Sequence, residues 1–158
     1  MRSLSYLAFA AGYRRISFVL IEHGQLATWH TSCVAAKSTD AAEEFTREFI
    51  EVFSPDVIVM EKLETARRKG AKAKALLAVI HDQAEKANAH FVPLKRENQF
   101  RTREAEASHL AILFPDLADK VPHREHCDNE PHHMVLFEAL ALAHQALRGG
   151  PMLLAQQM

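Results

Sequence analysis

The sequence predicts an α/β domain in which a mixed five-stranded sheet carries helices on both faces. Three strand-like segments come first and are joined by short turns, and a fully apolar strand-like segment later lies between two helical ones. Hairpin connections make the first three strands antiparallel. A strand that is apolar on both faces needs cover on each side, so we expect the later strands to run parallel between layers of helices.

The three opening strands follow from residue type and alternation. Residues 4–11 are apolar, and residues 15–22 are rich in β-branched and aromatic side chains. A turn at His23-Gly24 leads into residues 25–31, where apolar and polar side chains alternate. Such segments, separated by turn residues, are typical of consecutive strands joined by hairpins.

The pattern then changes to that of a helix. Asp40 and Glu43 have the spacing of a capping box at its start. Apolar residues at helical spacing are expected to share its buried face, and Ser54-Pro55 is expected to end it. These apolar residues are Phe45, Phe49 and Val52.

The second half of the chain alternates strands and helices. Pro93 suggests that the last strand lies at a sheet edge or ends there. We expect residues 1–148 to form one domain, which Gly149-Gly150-Pro151 ends, and residues 149–158 to be a C-terminal tail. The expected elements are a strand at 55–61, a helix to about Ala87, a strand at 90–94, helices at 103–114 and 134–147, and a polar loop at 115–131.

Composition narrows the class of protein. The 158 residues are 48% hydrophobic and 25% charged, as in a soluble globular domain. No run reaches the roughly 18 apolar residues of a membrane span, and no secretory signal begins the chain. Two cysteines make no disulfide framework, so we expect a cytoplasmic protein. The net charge of -1 shows that the protein as a whole is not strongly basic, although its basic residues are concentrated between Lys62 and Arg103.

The segment Pro55–Glu61 carries the strongest chemical signal. It is apolar throughout Val57–Met60 and ends in a carboxylate, which is costly to place near a core unless it meets water, a metal or a partner. Basic residues follow directly, where they could hold a phosphate backbone without reading its sequence. The candidate nucleic-acid contacts are Arg67, Arg68, Lys69, Lys72, Lys74, Lys95, Arg96 and Arg101.

Three segments together resemble the RuvC-type Holliday-junction resolvases of the ribonuclease H-like superfamily. They are residues 7–12 (LAFAAG), 55–61 (PDVIVME) and 134–143 (MVLFEALALA), and the resemblance spans nearly the whole chain. It implies that Glu61 and Glu138 are catalytic, metal-binding carboxylates. It also implies that Ala10 stands at the position of the first catalytic Asp.

The resemblance further implies hydrolysis of phosphodiesters in branched DNA with Mg²⁺ or Mn²⁺, by a homodimer that makes paired cuts. A two-metal site needs a bridging carboxylate, and the methyl group of Ala10 cannot ligate a metal. Another acid that such sequences often carry would fall on Val135, which is not a ligand either. We therefore expect weak or absent cleavage by this sequence.

Several alternatives remain at this stage. The protein could be an inactive relative that keeps the nucleic-acid surface, or it could bind a metal through Glu61, Glu138 and a third ligand such as Glu130, Asp128, His132 or His133. Ala10 could instead be an introduced substitution. A protein-interaction scaffold is the rival from another class. A zinc site in the His-rich segment 123–133 is a further alternative, although its spacing fits no standard zinc pattern.

Overall fold

A computed structural model of the chain describes residues 3–67, 69–97, 100–121 and 133–157, with the backbone alone for 150–157. Five strands and four α-helices follow one another in the described residues, with short 3-10 turns between some of them. The elements are β1 (Tyr6–Gly12), β2 (Arg15–Glu22), β3 (Gln25–Ser32), α1 (Thr39–Phe53), β4 (Val57–Glu61), α2 (Ala71–Lys86), β5 (His90–Leu94), α3 (Arg103–Leu113) and α4 (Met134–Gln157).

The strands form one mixed sheet in the order β3-β2-β1-β4-β5. The first three strands pair antiparallel as consecutive hairpins, whereas β4 lies parallel to β1 and β5 lies parallel to β4. This is the predicted mixed sheet. Pro93, which has no N–H to donate to a ladder, lies in the edge strand β5, as its presence suggested.

The two faces of the sheet build two separate cores. Successive side chains of a strand point to opposite faces, so Tyr6, Ala8 and Ala10 of β1 pack together with residues of α3 and α4. The alternate residues of β1, Leu7 and Phe9 among them, pack together with residues of α1 and α2. The prediction of helices on both faces is therefore confirmed. Burial of apolar surface in these two layers is the main force that holds the helices to the sheet.

Helix α1 differs in detail from its sequence prediction. Its N-cap is Ser38, whose Oγ accepts a hydrogen bond of 3.0 Å from the Ala41 N–H, so the helix begins before the expected capping box. Val52 is 66% exposed, because the buried face is centred on Ala42 and Thr46 and leaves Val52 to one side. Phe45 and Phe49 pack on the sheet as expected.

Helix α4 also continues further than the sequence indicated. It extends to Gln157, through Gly149-Gly150-Pro151, where the sequence predicted an end near Leu147. Glycine weakens a helix without forbidding it, and the φ of proline is one that a helix also uses. The predicted end of this helix near Leu147 was therefore wrong, whereas the domain boundary at residue 148 and the C-terminal tail stay predictions. No described helix is long and apolar enough to cross a membrane.

Candidate functional site

The carboxyl ends of the parallel strands β1 and β4 lie at the same edge of the sheet, and this edge carries position 10 and Glu61. The parallel ladder ends with the pair Ala8–Val59, and Ala10 and Glu61 each lie two residues beyond that pair on their own strands. Residues two apart on a strand share a face, so both side chains point to the face that α4 covers. Ala10 and Glu61 are both buried.

Helix α4 brings Glu138 to the same place. Val135 and Leu142 lie three residues before and four residues after it, so all three share one stripe of the helix, and all three are buried. Burial raises the pKa of Glu61, and the neighbouring charge of Glu138 raises that pKa further. The three positions that the sequence singled out on different elements, 10, 61 and 138, thus come together at one end of the sheet.

Lys69 contacts both Glu138 and the end of β1 in this group of residues. Its Nζ lies 2.6 Å from Oε1 of Glu138, and it also donates a hydrogen bond of 2.7 Å to the carbonyl oxygen of Ala11. The side chain of Lys69 is only 13% exposed and that of Glu138 only 6%. A lysine predicted to face a phosphate backbone is therefore directed inward, where it joins the end of β1 to α4.

Further cations surround the two carboxylates. Lys69, Arg96 and Arg103 each act to lower the pKa of Glu61, against the larger effects of burial and of Glu138. Arg96 is in turn held by an ion pair and hydrogen bond to Glu106 in the first turns of α3.

Sequence reasoning added Arg103 to the basic residues that could follow a phosphate backbone, but it assigned no role to Glu106. Glu106 is a charged residue near the start of an amphipathic helix, which is also the ordinary pattern of a solvated helix end. The contribution of both residues becomes visible only through the Arg96–Glu106 ion pair and the effect of Arg103 on Glu61.

The carboxylates open into a groove of about 420 Å³. Basic residues from two loops and the start of α3 form much of its wall, which Glu97 and Glu106 also line, while Glu61 and Glu138 are buried below it. The charged lining residues include Glu61, Arg67, Lys69, Arg101, Arg103 and Glu138.

Comparison with known proteins gives one clear kind of match. No family model matches the sequence, and no curated protein matches it significantly. Among solved structures, RuvC of Thermus thermophilus in complex with a Holliday junction substrate is similar with a TM-score of 0.69 and 12% identity, over 94% of this chain and 96% of that one. The chain has the RuvC fold.

Two further solved structures agree. Another Thermus thermophilus RuvC structure matches with a TM-score of 0.62 and 13% identity, covering 94% of this chain and 96% of that one. A Fowlpox virus resolvase in complex with Holliday junction DNA matches with a TM-score of 0.58 and 11% identity, covering 89% and 96%. The prediction of a RuvC-like, ribonuclease H-like fold is confirmed, and at these identities the likeness is one of fold.

The described side chains do not fit the metal site that a RuvC-type resolvase implies. Ala10 contributes a methyl group, and the Glu138 carboxylate is already engaged by the ammonium of Lys69. Within the described ranges, no three His, Cys, Asp or Glu residues lie close enough together to hold a metal ion. The alternative third ligands Glu130, Asp128 and His132, like most of the segment 123–133 considered for zinc, lie outside those ranges.

The predicted nucleic-acid contacts of this RuvC fold divide into three groups. Arg67, Lys69, Arg96 and Arg101 line the groove. Lys72 lines a neighbouring cavity of about 190 Å³, which Lys69 and Arg103 also line. Lys74 and Lys95 are exposed outside both cavities, and Arg68 lies outside the described residues.

Proposed function

We propose that this protein binds branched DNA along the groove above Glu61 and Glu138, and that it cleaves phosphodiesters weakly or not at all as the sequence stands. The observation that carries the proposal is the position of an arginine-rimmed groove directly over the buried carboxylates of a RuvC fold. Two of the proteins that share this fold were solved in complex with Holliday junctions, and the matches cover 94% and 89% of this chain.

The chemistry of the rim supports a phosphate ligand. Arg67, Arg101 and Arg103 are exposed, and their guanidinium groups can donate two parallel hydrogen bonds to a phosphate. Contacts of this kind position a nucleic acid without reading its bases, so recognition would depend on the shape of the DNA. The groove is open, as a backbone that passes across it requires.

Weak or absent cleavage follows from position 10. In a metal-dependent endonuclease of this type, Mg²⁺ or Mn²⁺ would supply an activated water and stabilise the leaving oxygen. That chemistry requires a carboxylate where Ala10 provides only a methyl group. Ordinary turnover of a four-way junction by the unaltered protein with Mg²⁺ would contradict this part of the proposal. The proposal also includes that the protein acts as a homodimer in the cytoplasm.

The direct test is binding of a fluorescent four-way junction, measured by anisotropy at several salt concentrations beside a duplex of the same sequence. We expect the Arg67→Ala/Arg101→Ala variant to bind the junction more weakly than the unaltered protein. The slope of log binding constant against log salt concentration should also be smaller in magnitude by about 2, because each of the two lost phosphate contacts contributes about 0.9. Lys37→Ala/Arg47→Ala is the matched control, because it also removes two positive charges from exposed side chains, and both residues lie outside the groove.

Two results would contradict the proposal. The first is an absence of binding at low salt, which would instead favour the protein-interaction scaffold. The second is an equal loss of affinity in Lys37→Ala/Arg47→Ala, which would show that overall charge rather than the groove attracts DNA.

A further inference from the structure

Lys69 is more buried than its described basic neighbours Arg67, Lys72 and Lys74. Arg67, Lys72 and Lys74 are exposed, whereas the side chain of Lys69 is 13% exposed. Its ammonium lies between the carbonyl oxygen of Ala11, at 2.7 Å, and Oε1 of Glu138, at 2.6 Å. Both oxygens belong to the group of residues that contains position 10 and Glu61, so the cation lies within the candidate site.

The charges of the site explain why a cation is needed there. Glu61 and Glu138 are both buried and are close enough for the charge of one to raise the pKa of the other. Two buried carboxylates require compensation by a metal or by basic groups. A third carboxylate at position 10 would increase the need for positive charge. Because Ala10 carries no carboxylate, only Glu61 and Glu138 need compensation. One ammonium can then serve a pair of carboxylates for which a divalent ion would otherwise be suited.

We propose that Lys69 is the resident cation of this site: its ammonium occupies the place between the end of β1 and Glu138 where a divalent metal would bind. Ala10 and Lys69 therefore act as a matched pair, in which one removes a metal ligand and the other supplies an ammonium group. The unaltered protein does not bind Mg²⁺ or Mn²⁺ between these carboxylates.

Sterics and charge both support exclusion of the metal. A divalent ion of this kind must approach its oxygen ligands to about 2.0–2.1 Å. Oε1 of Glu138 already lies 2.6 Å from the ammonium of Lys69, and a second positive ion beside that ammonium would be repelled in a poorly solvated place. The basic rim adds to this repulsion. Metal binding thus requires Lys69 to be displaced, and a new carboxylate alone does not displace it.

The inference concerns the site of the proposed function, but it is tested without DNA, so that each proposal can fail separately. Binding of Mn²⁺ to the full chain is followed by electron paramagnetic resonance of the free ion. Four proteins are compared: the unaltered chain, Ala10→Asp, Lys69→Met and Ala10→Asp/Lys69→Met. Methionine keeps an unbranched side chain and removes the charge.

We expect the unaltered chain and Ala10→Asp to bind Mn²⁺ no more tightly than about 1 mM. The double variant should bind at least about 100-fold more tightly than the unaltered chain, on the scale by which metal sites respond to their surroundings. Adding Glu61→Gln to the double variant should abolish the gain, which would place the ion at this site. Tight binding by Lys69→Met alone would also identify Lys69 as the excluding cation.

Two results would overturn the proposal. One is micromolar binding of Mn²⁺ by the unaltered chain that Glu61→Gln removes, and this result does not depend on how any Lys69 variant folds. The other is tight binding by Ala10→Asp with no further gain in the double variant.

Two more proteins control for charge and folding. Ala10→Asp/Lys37→Met has the same net charge as the double variant and changes an exposed lysine instead, so it should behave as Ala10→Asp does. Ala10→Asp/Lys69→Arg keeps a cation in place and should not bind Mn²⁺ tightly. Circular dichroism of every variant checks that each one is folded.

Discussion

Two cavities of this protein differ in a way that volume does not reveal. The cavity at the edge between α1 and α2 measures about 560 Å³, and the groove above Glu61 and Glu138 measures about 420 Å³. By size alone the first would be the stronger candidate for a binding site. Its charged residues include Glu43, Arg47 and Lys86.

The ion pairs of the two regions are of different kinds. Arg47 and Glu43 are 3.8 Å apart, belong to one helix turn and have side chains that are 54% and 43% exposed. Lys69 and Glu138 are 2.6 Å apart, come from distant parts of the chain and are nearly buried. Exposed pairs contribute little to stability, whereas a buried charge without its partner is costly. Buried charge, and not cavity size, therefore distinguishes the candidate functional site from the other cavity.

The largest expected difference between the two regions is the stability lost when the buried Lys69–Glu138 pair is broken. Lys69→Met should lower the free energy of unfolding by about 3–5 kcal/mol, because it leaves the buried Glu138 carboxylate without its cation. Urea unfolding followed by circular dichroism measures this change. Lys37→Met, which removes the same charge at an exposed position, should change the free energy by no more than about 0.5 kcal/mol.

A loss in Lys69→Met no larger than that of Lys37→Met would show that solvent, and not Lys69, compensates Glu138. The Lys69→Met/Glu138→Gln variant sharpens the test. Removing both charges should recover part of the lost stability, since no uncompensated buried carboxylate is then left.

A smaller effect should appear as a function of pH. The pKa of Glu61 is raised above its ordinary value of 4.5, chiefly by burial and then by Glu138. A raised pKa in the folded state means that the folded protein holds this proton more tightly than the unfolded chain. Its contribution is thus fully present below pH 4.5 and is lost as the pH rises through the raised value.

Glu61→Gln cannot lose a proton, so the variant should gain thermal stability relative to the unaltered protein as the pH rises above about 4.5. Melting temperatures at pH 4–8 measure the difference between the two proteins. Glu51→Gln, an exposed change beside the α1–α2 cavity, should melt in parallel with the unaltered protein at every pH. A difference for Glu61→Gln that stays constant with pH would assign the effect to packing rather than ionisation.

The smallest effect is expected in the α1–α2 region itself. Arg47→Gln breaks the exposed pair with Glu43 and should change the free energy of unfolding by no more than about 0.5 kcal/mol. Salt should remove even this difference, because exposed charges are screened. Urea unfolding at low and high salt measures it. If Arg47→Gln lowered the free energy of unfolding by more than about 1 kcal/mol, the exposure of an ion pair would not by itself distinguish the two regions.

Much of the fold could be predicted because its signals are local. Hairpin turns set the first three strands, the apolar run before Glu61 set the buried strand, and Pro93 indicated an edge. The errors were local too. Ser38 rather than Asp40 caps α1, and α4 continues through Gly149-Gly150-Pro151 although glycine and proline disfavour the interior of a helix.

The candidate site was predictable in part for a related reason. Glu61 follows a strand and Glu138 lies on a helix, so element and position could be read from the sequence, and the segments that resembled RuvC-type resolvases joined them to Ala10. The direction of Lys69 could not be predicted. A lysine side chain has several rotatable bonds, and nothing in the segment around it distinguishes Lys69 from Lys72 or Lys74.

The sequence by itself determined the three antiparallel hairpin strands followed by parallel strands, the helices on both faces and the absence of a carboxylate at position 10. These depend on residue type and on periodicity within short segments. Only the tertiary structure decided that the ammonium of Lys69 lies against Glu138 and the end of β1. Lys69 is 58 positions from Ala11 and 69 positions from Glu138 along the chain. These contacts exist because the sheet and α4 bring a buried carboxylate within reach of one lysine among several.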